Sequence, residues 1–291
     1  MGFGRRWRAL LLWLLCLVAV SALLVAGGIW AVGFFKPFAA PLAEGCRAMS
    51  GQSGFTLAVD QTENAALITA ISVRRGMPAR AASIGLAVAL QESKLRNITH
   101  GDMDSLGLFQ QRPSQGWGTE AEILDPLHST NAFYDELDTV AGYEDMSITE
   151  AAQIVQRSAF PDAYAQREGQ GKAFASALAG LSPASLACTL KDPAAPGDPA
   201  AVAAALERAY GPVQTQTGPD GTVEITAPAT AGWSYAQWAV ANANALELTQ
   251  VSFEGQQWVR SANDGGKNAG WQPSTAAPGQ VVLTVNPSAK G

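Results

Sequence analysis

Histidine and cysteine are nearly absent from this chain. There are two histidines, His100 and His128, and three cysteines in 291 residues. A zinc site of His and Cys ligands needs three or four of them held close together. The scattered His100, His128, Cys46 and Cys188 do not supply one, so no metal or cofactor is expected. A Ser-His-Asp or Cys-His arrangement is equally poorly served, because His128 lies in an ordinary helix-initiating turn, P-L-H-S-T. Charge is scarce too, at 15% of residues, and its sign is uneven. Arg5, Arg6, Arg8 and Lys36 take four of the 19 basic residues and none of the 25 acidic ones, leaving 15 against 25 beyond residue 36. Nucleic-acid binding draws on a basic face that releases counterions, and so acidic an outer part excludes it.

What the chain has instead is an N-terminal apolar run. No charged residue occurs from Ala9 to Phe35. A helix of about 20 apolar residues crosses a bilayer, whereas secretory leaders have apolar regions of roughly 7–15 residues. Residues 1–36 are therefore expected to be a cytoplasmic tip and a single-pass anchor in the cell membrane, with a cleaved leader as the alternative. Arg5, Arg6 and Arg8 before the run, against Lys36 after it, place the N-terminus inside and the rest outside. Cys46 and Cys188 are then the cysteines of an oxidising compartment, where a disulfide is permitted. They bracket a mostly helical segment, and a bond between them is expected.

Periodicity and punctuation divide the remainder. Residues 37–190 read as mainly helical after a Gly-containing connector. Ala79–Lys94 carries Ile84, Val88, Gln91 and Leu95 on one face. Residues 97–118 are loop-like, with several glycines and Pro113. A helix is expected over Thr130–Val140, another over Thr149–Phe160, and a third over Asp162–Leu181, weakened by Gly169 and Gly171. Residues 191–201, K-D-P-A-A-P-G-D-P-A-A, read as a semi-extended linker. Residues 202–291 read as a small α+β domain with strands over Thr222–Thr226, Leu248–Phe253 and Val281–Val285. The linker predicts that a chain ending near Asp192 folds by itself. Trp233, Trp238, Trp258 and Trp271 are candidates for a glycan- or peptide-binding face, with a place in the core the favoured reading for at least two of the four.

The chemistry is concentrated in Gln91–Gly118. Glu92 stands at the end of an apolar helix, the setting that raises a carboxyl pKa. Glycoside cleavage needs such an acid to protonate the leaving oxygen. Ser93 follows it, and Ser105-Leu106-Gly107-Leu108-Phe109-Gln110 lies downstream. This combination resembles the E-S … S-x-G-L-x-Q signature of the lysozyme-like lytic transglycosylases, of the membrane-anchored actinobacterial type, over about Cys46–Cys188. The resemblance implies a mainly α lysozyme-like domain, preceded by one transmembrane helix and followed by the small α+β domain. It implies cleavage of peptidoglycan glycan strands at the cell envelope, with Glu92 as acid and then base, and no cofactor. By the same resemblance Ser93, Ser105, Gly107, Leu108 and Gln110 bind or orient substrate.

The A-Y-N-like third motif of that family does not occur. Ile154–Ser158 occupies its place, and Gln156 or Tyr164 is the candidate replacement. Trp117 is either a sugar-stacking residue or a core residue. Asp102 and Asp104 are candidates for a second carboxylate that activates water, which would make the enzyme a hydrolytic lysozyme. A non-catalytic wall-binding protein on the same fold is the reading from another class. The C-terminal part resembles the small domains that trail lysozyme-like domains in actinobacterial wall proteins.

Overall fold

A computed structural model describes residues 44–156, 161–218, 220–264 and 267–287. The chain opens with two short strands, β1 (Gly45–Ser50) and β2 (Ser53–Leu57), in an antiparallel hairpin turned at Gly51 and Gln52. The third strand of this sheet, β3 (Leu186–Thr189), comes from the far end of the helical segment and pairs with the other edge of β1. Cys46 and Cys188 face each other across that pairing and are joined as a disulfide, as expected.

Between the hairpin and β3 lie the helices: α1 (Val59–Arg74), α2 (Ala79–Glu92), α3 (Glu120–Ile123), α4 (Pro126–Asp138), α5 (Ile148–Gln156) and α6 (Glu168–Leu178). Each boundary has a local cause. Gln61 accepts the Ala58 N–H at the start of α1, at 2.8 Å. Thr119 and Glu122 form a capping box on α3. Asp125 accepts the Leu127 N–H and Pro126 occupies the first position of α4, so that helix starts four residues before the expected Thr130. Helix α2 is buried on all sides from Ala81 to Leu90, as befits a helix without a polar face. It packs closely on α6, where a Cβ at Gly171 would sit 3.0 Å from the Ser83 carbonyl. Gly171 thus permits the helix contact that its low propensity had argued against.

The second region contains α7 (Pro199–Tyr210), β4 (Thr215–Thr217), β5 (Thr222–Thr226), α8 (Ala229–Ala241), β6 (Leu248–Phe253), β7 (Gln256–Val259), β8 (Trp271–Pro273) and β9 (Gln280–Val285). Its six strands form one antiparallel sheet in the order β4-β5-β9-β6-β7-β8. Helix α8 lies on it, with Trp233 edge-on to Phe253 at 5.4 Å and to Trp271 at 5.2 Å. The other side of α8 meets the first region. Gln237 on α8 accepts the N–H groups of Ser185 and Leu186, and donates to the carbonyls of Ala177 and Ser182. Trp258 and Trp271 donate their indole N–H groups to the carbonyls of Cys188 and Leu186. The outer edge of β3, which would otherwise be a row of unpaired backbone groups, is covered in this way.

The fold expectation is therefore corrected. In place of a mainly α domain trailed by a separate α+β unit there are two antiparallel sheets, and the described residues form one compact unit with a continuous apolar core. The strands of the first sheet escaped notice because β1 and β3 pair across 142 residues of sequence, and strand preference is set largely by such partners. The segment read as a linker is tied down at Gly197, whose N–H bonds Asn286, and at Ala194, whose N–H bonds Glu247. No helix among the described residues is long and apolar enough to cross a membrane, so none of them is the expected transmembrane helix. The longest, α1, has 16 residues and carries charges, against the roughly 20 apolar residues a span requires. The run Ala9–Phe35 lies outside the described residues.

Candidate active site

The end of α2 is held with unusual firmness. The Ser93 hydroxyl bonds the Ala89 carbonyl at 3.1 Å and the Leu108 carbonyl at 2.7 Å. Lys94 and Leu95 then adopt the left-handed conformation, with φ of 55° and 56°. Such geometry costs about 1–3 kcal/mol per non-glycine residue and persists where surroundings over-determine it. They do so here: Gln61 and Asn64 of α1 donate to the carbonyls of Lys94 and Leu95, both at 2.8 Å, and the Leu95 side chain is fully buried. The residue fixed by this closure is Glu92, the last of the helix.

Glu92 is half-buried. Burial pushes its carboxyl above the ordinary glutamate range, opposed by a hydrogen bond from Tyr164 that favours the ionised form. The Tyr164 hydroxyl, itself wholly buried, lies 2.5 Å from Glu92 Oε1. It comes from a 3₁₀ turn, Pro161–Arg167, between α5 and α6. Next to this pair, Arg167 donates to Gln91 at 3.2 Å.

The downstream loop packs against the same helix end. Gly107 donates its N–H to the Ile98 carbonyl and sits at φ 76°; a Cβ there would lie 2.7 Å from the Ile123 carbonyl. Only glycine fits on both counts. Leu108 and Phe109 are core residues, and Phe109 stacks on Phe133 at 4.6 Å. Gln110 turns its amide back toward the carbonyls of His100 and Gly107. Ser105 is buried. Gln156, at the end of α5, donates to the Phe109 carbonyl at 2.8 Å.

The residues grouped by the S-L-G-L-F-Q pattern thus converge, but most of them shape the loop. Ser93, Gly107, Leu108 and Gln156 hold it in position behind Glu92. Trp117 is half-buried: it packs against the core and also lines a cavity of about 310 Å³ together with Gln156. Glu92 is not among the described residues lining that cavity.

The two loop aspartates have different settings. Asp102 is exposed. Asp104 pairs with Arg112 at 2.7 Å and accepts from the Ser114 N–H and hydroxyl. The guanidinium first, then the Ser114 groups, hold its carboxyl well below the usual carboxylate range. This locks the loop but occupies the carboxylate. The Asp104–Arg112 pair went unforeseen; eight residues apart in a loop, the two carry no periodic signal. Tyr164 was legible only as a fallback for the missing third motif.

Among the described residues no group of three His, Cys, Asp or Glu side chains could hold a metal. The four C-terminal tryptophans do not form a binding face: Trp233, Trp238 and Trp258 are buried, and Trp271 spends its indole N–H on Leu186. Neither a protein-family model nor a curated protein matches this chain.

Proposed function

We propose that the protein cleaves peptidoglycan glycan strands outside the cytoplasm, as a lytic transglycosylase with a single catalytic carboxyl. The observation that carries this reading is Glu92: a half-buried acid with its pKa displaced upward, gripped through one oxygen by the buried Tyr164 hydroxyl at 2.5 Å. A carboxyl whose pKa is raised keeps its proton to higher pH, as a general acid requires. The disulfide supports an oxidising location.

In this reading the free Glu92 oxygen gives its proton to the glycosidic oxygen between N-acetylmuramic acid and N-acetylglucosamine, and the C1–O bond breaks. The resulting carboxylate takes the proton of the muramyl 6-hydroxyl, whose oxygen closes onto C1. A 1,6-anhydro ring forms, Glu92 returns to its acid form, and no water is consumed. Tyr164 is the positioning residue, holding Oε1 so that the other oxygen faces the bond. Ser93 and Gln156 keep the loop wall in place. Asp104, committed to Arg112 and Ser114, is poorly suited to activating water, and this favours the anhydro route over a hydrolytic one.

The test is Glu92→Gln on purified peptidoglycan, with products resolved by mass spectrometry. The amide keeps the shape but cannot carry the proton, and the release of anhydro-muropeptides should fall by about 10³–10⁴-fold or more. Wild-type activity should decline as pH rises through the elevated pKa of Glu92. Cleavage by Glu92→Gln at the wild-type rate would remove the assignment. Products with reducing ends would turn the reading to a hydrolase. No cleavage by either form would leave a wall-binding protein.

A further inference from the structure

The cavity beside Trp117 has a lining that the cleavage chemistry does not use. It is bounded by Gln115, Gly116 and Trp117 on the loop, by Glu136 on α4, and by Val155 and Gln156 at the end of α5. At about 310 Å³ it lies at the small end of ligand sites, with room for one ring and its substituents. Glu136, an exposed residue, is the one ionisable group among the described residues of this lining. It has no ion-pair partner among the described residues, and its side chain makes no hydrogen bond there. Gln156 is pinned through its Nε2 to the Phe109 carbonyl, so its Oε1 is a positioned acceptor.

Among the described lining residues, the Glu136 carboxylate and the Gln156 Oε1 both call for a hydrogen-bond donor or a cation. Trp117 adds an aromatic face, half-buried and fixed by the core behind it. Such a face attracts cations by its quadrupole and is flat enough to lie on a pyranose ring. The acidic balance beyond residue 36 also raises the local concentration of cations.

We propose that this cavity binds an amino sugar: a pyranose unit with a free ammonium group, its ring on Trp117 and its ammonium paired with Glu136. An N-acetylated sugar would bring a neutral acetamide to the same place and leave the carboxylate unpaired. Within the glycan-cleaving reading, this makes the site a sensor of de-N-acetylated strands, lined by described residues other than Glu92. It rests on that reading for the saccharide identity, but not for its assay.

The test is an NMR titration of the full chain at about pH 6 with tri-glucosamine, tri-N-acetylglucosamine and Nα-acetyl-lysine amide. It is run on wild type, on Glu136→Gln and on Glu92→Gln. A partly exposed ion pair with a cation–aromatic contact corresponds to roughly tenfold in affinity. Wild type and Glu92→Gln should therefore bind tri-glucosamine about tenfold more tightly than the acetylated trimer, and Glu136→Gln should lose the preference. Equal binding of the two trimers, or a preference that survives in Glu136→Gln, would overturn the proposal. Lysine amide binding as tightly as tri-glucosamine would overturn the saccharide assignment. Because the readout is binding in a variant that cannot cleave, failure here leaves the role of Glu92 standing. Failure of cleavage likewise leaves this result intact.

Discussion

The two halves of the compact unit spend their polar groups differently. In residues 199–286 several large polar side chains are turned inward and satisfied. Gln237 holds four backbone groups of the first half, Trp258 and Trp271 each hold one carbonyl, and buried Arg260 bonds the carbonyls of Lys191, Ala243 and Leu248. In residues 44–190 the pattern is less complete. Lys94, Leu95, Met103, Gln110 and Ala184 sit at positive φ, against Glu247 and Glu254 in the second half, the buried Gln111 Oε1 has no partner among the described residues, and Glu92 is desolvated. Strain and unpaired groups of this kind persist where function needs them and the surroundings can hold them. The comparison assigns strain and a desolvated carboxyl to the first half and bracing to the second.

Removing the brace should have the largest effect. A chain ending near Asp192 loses the partners of β3 and one wall of the shared core. It should lack a cooperative unfolding transition by circular dichroism, contrary to the self-folding unit that the proline-rich segment suggests. A truncated chain that is folded and active would break the comparison outright.

Next is the covalent tie within the first half. The Cys46–Cys188 bond closes a loop of 142 residues, worth about 5 kcal/mol in the chain-entropy model. Cys46→Ser with Cys188→Ser should move the urea midpoint down accordingly.

A single bracing side chain ranks third. Gln237→Ala strands the Ser185 and Leu186 N–H groups at a site with no solvent exposure of the side chain, while the Ala177 and Ser182 carbonyls keep the Gly180 N–H and the Ser185 hydroxyl. Buried groups without partners cost about 1–3 kcal/mol each, lessened by relaxation, so a loss of about 3 kcal/mol is expected in the same urea experiment.

The smallest effect concerns Glu92 and has a sign that separates the halves. Its folded-state pKa is raised, so its contribution to stability is fully present below the unfolded-state value of about 4.3 and is lost as pH rises through the folded value. Gln at this position does not titrate. Glu92→Gln should therefore gain stability relative to wild type between pH 4 and pH 7. The bracing variant Gln237→Ala should show the same loss at both.

Much of the first half was open to reading in one dimension. The apolar periodicity of α2 and the position of Glu92 at its end follow from local rules, because a helix is built from contacts three and four residues apart. The loop glycine at 107 announced a turn, and the bracketing cysteines were read as a pair. What local rules could not reach was anything that depends on distant partners: the sheet that joins β1 to β3, and the edge of β3 handed to Gln237, Trp258 and Trp271. For the same reason the tryptophans stayed open between a binding face and the core, since an aromatic side chain looks alike in sequence whether it meets a sugar or a core.

Composition and spacing by themselves settled that this chain is acidic beyond residue 36, poor in metal ligands and equipped with one well-placed carboxyl. Tertiary structure alone decided that Glu92 is desolvated, that Tyr164 grips it from 72 residues away, and that Asp104 is spent on Arg112. A pKa is set by burial and by neighbours in space, and neither exists until the chain has folded.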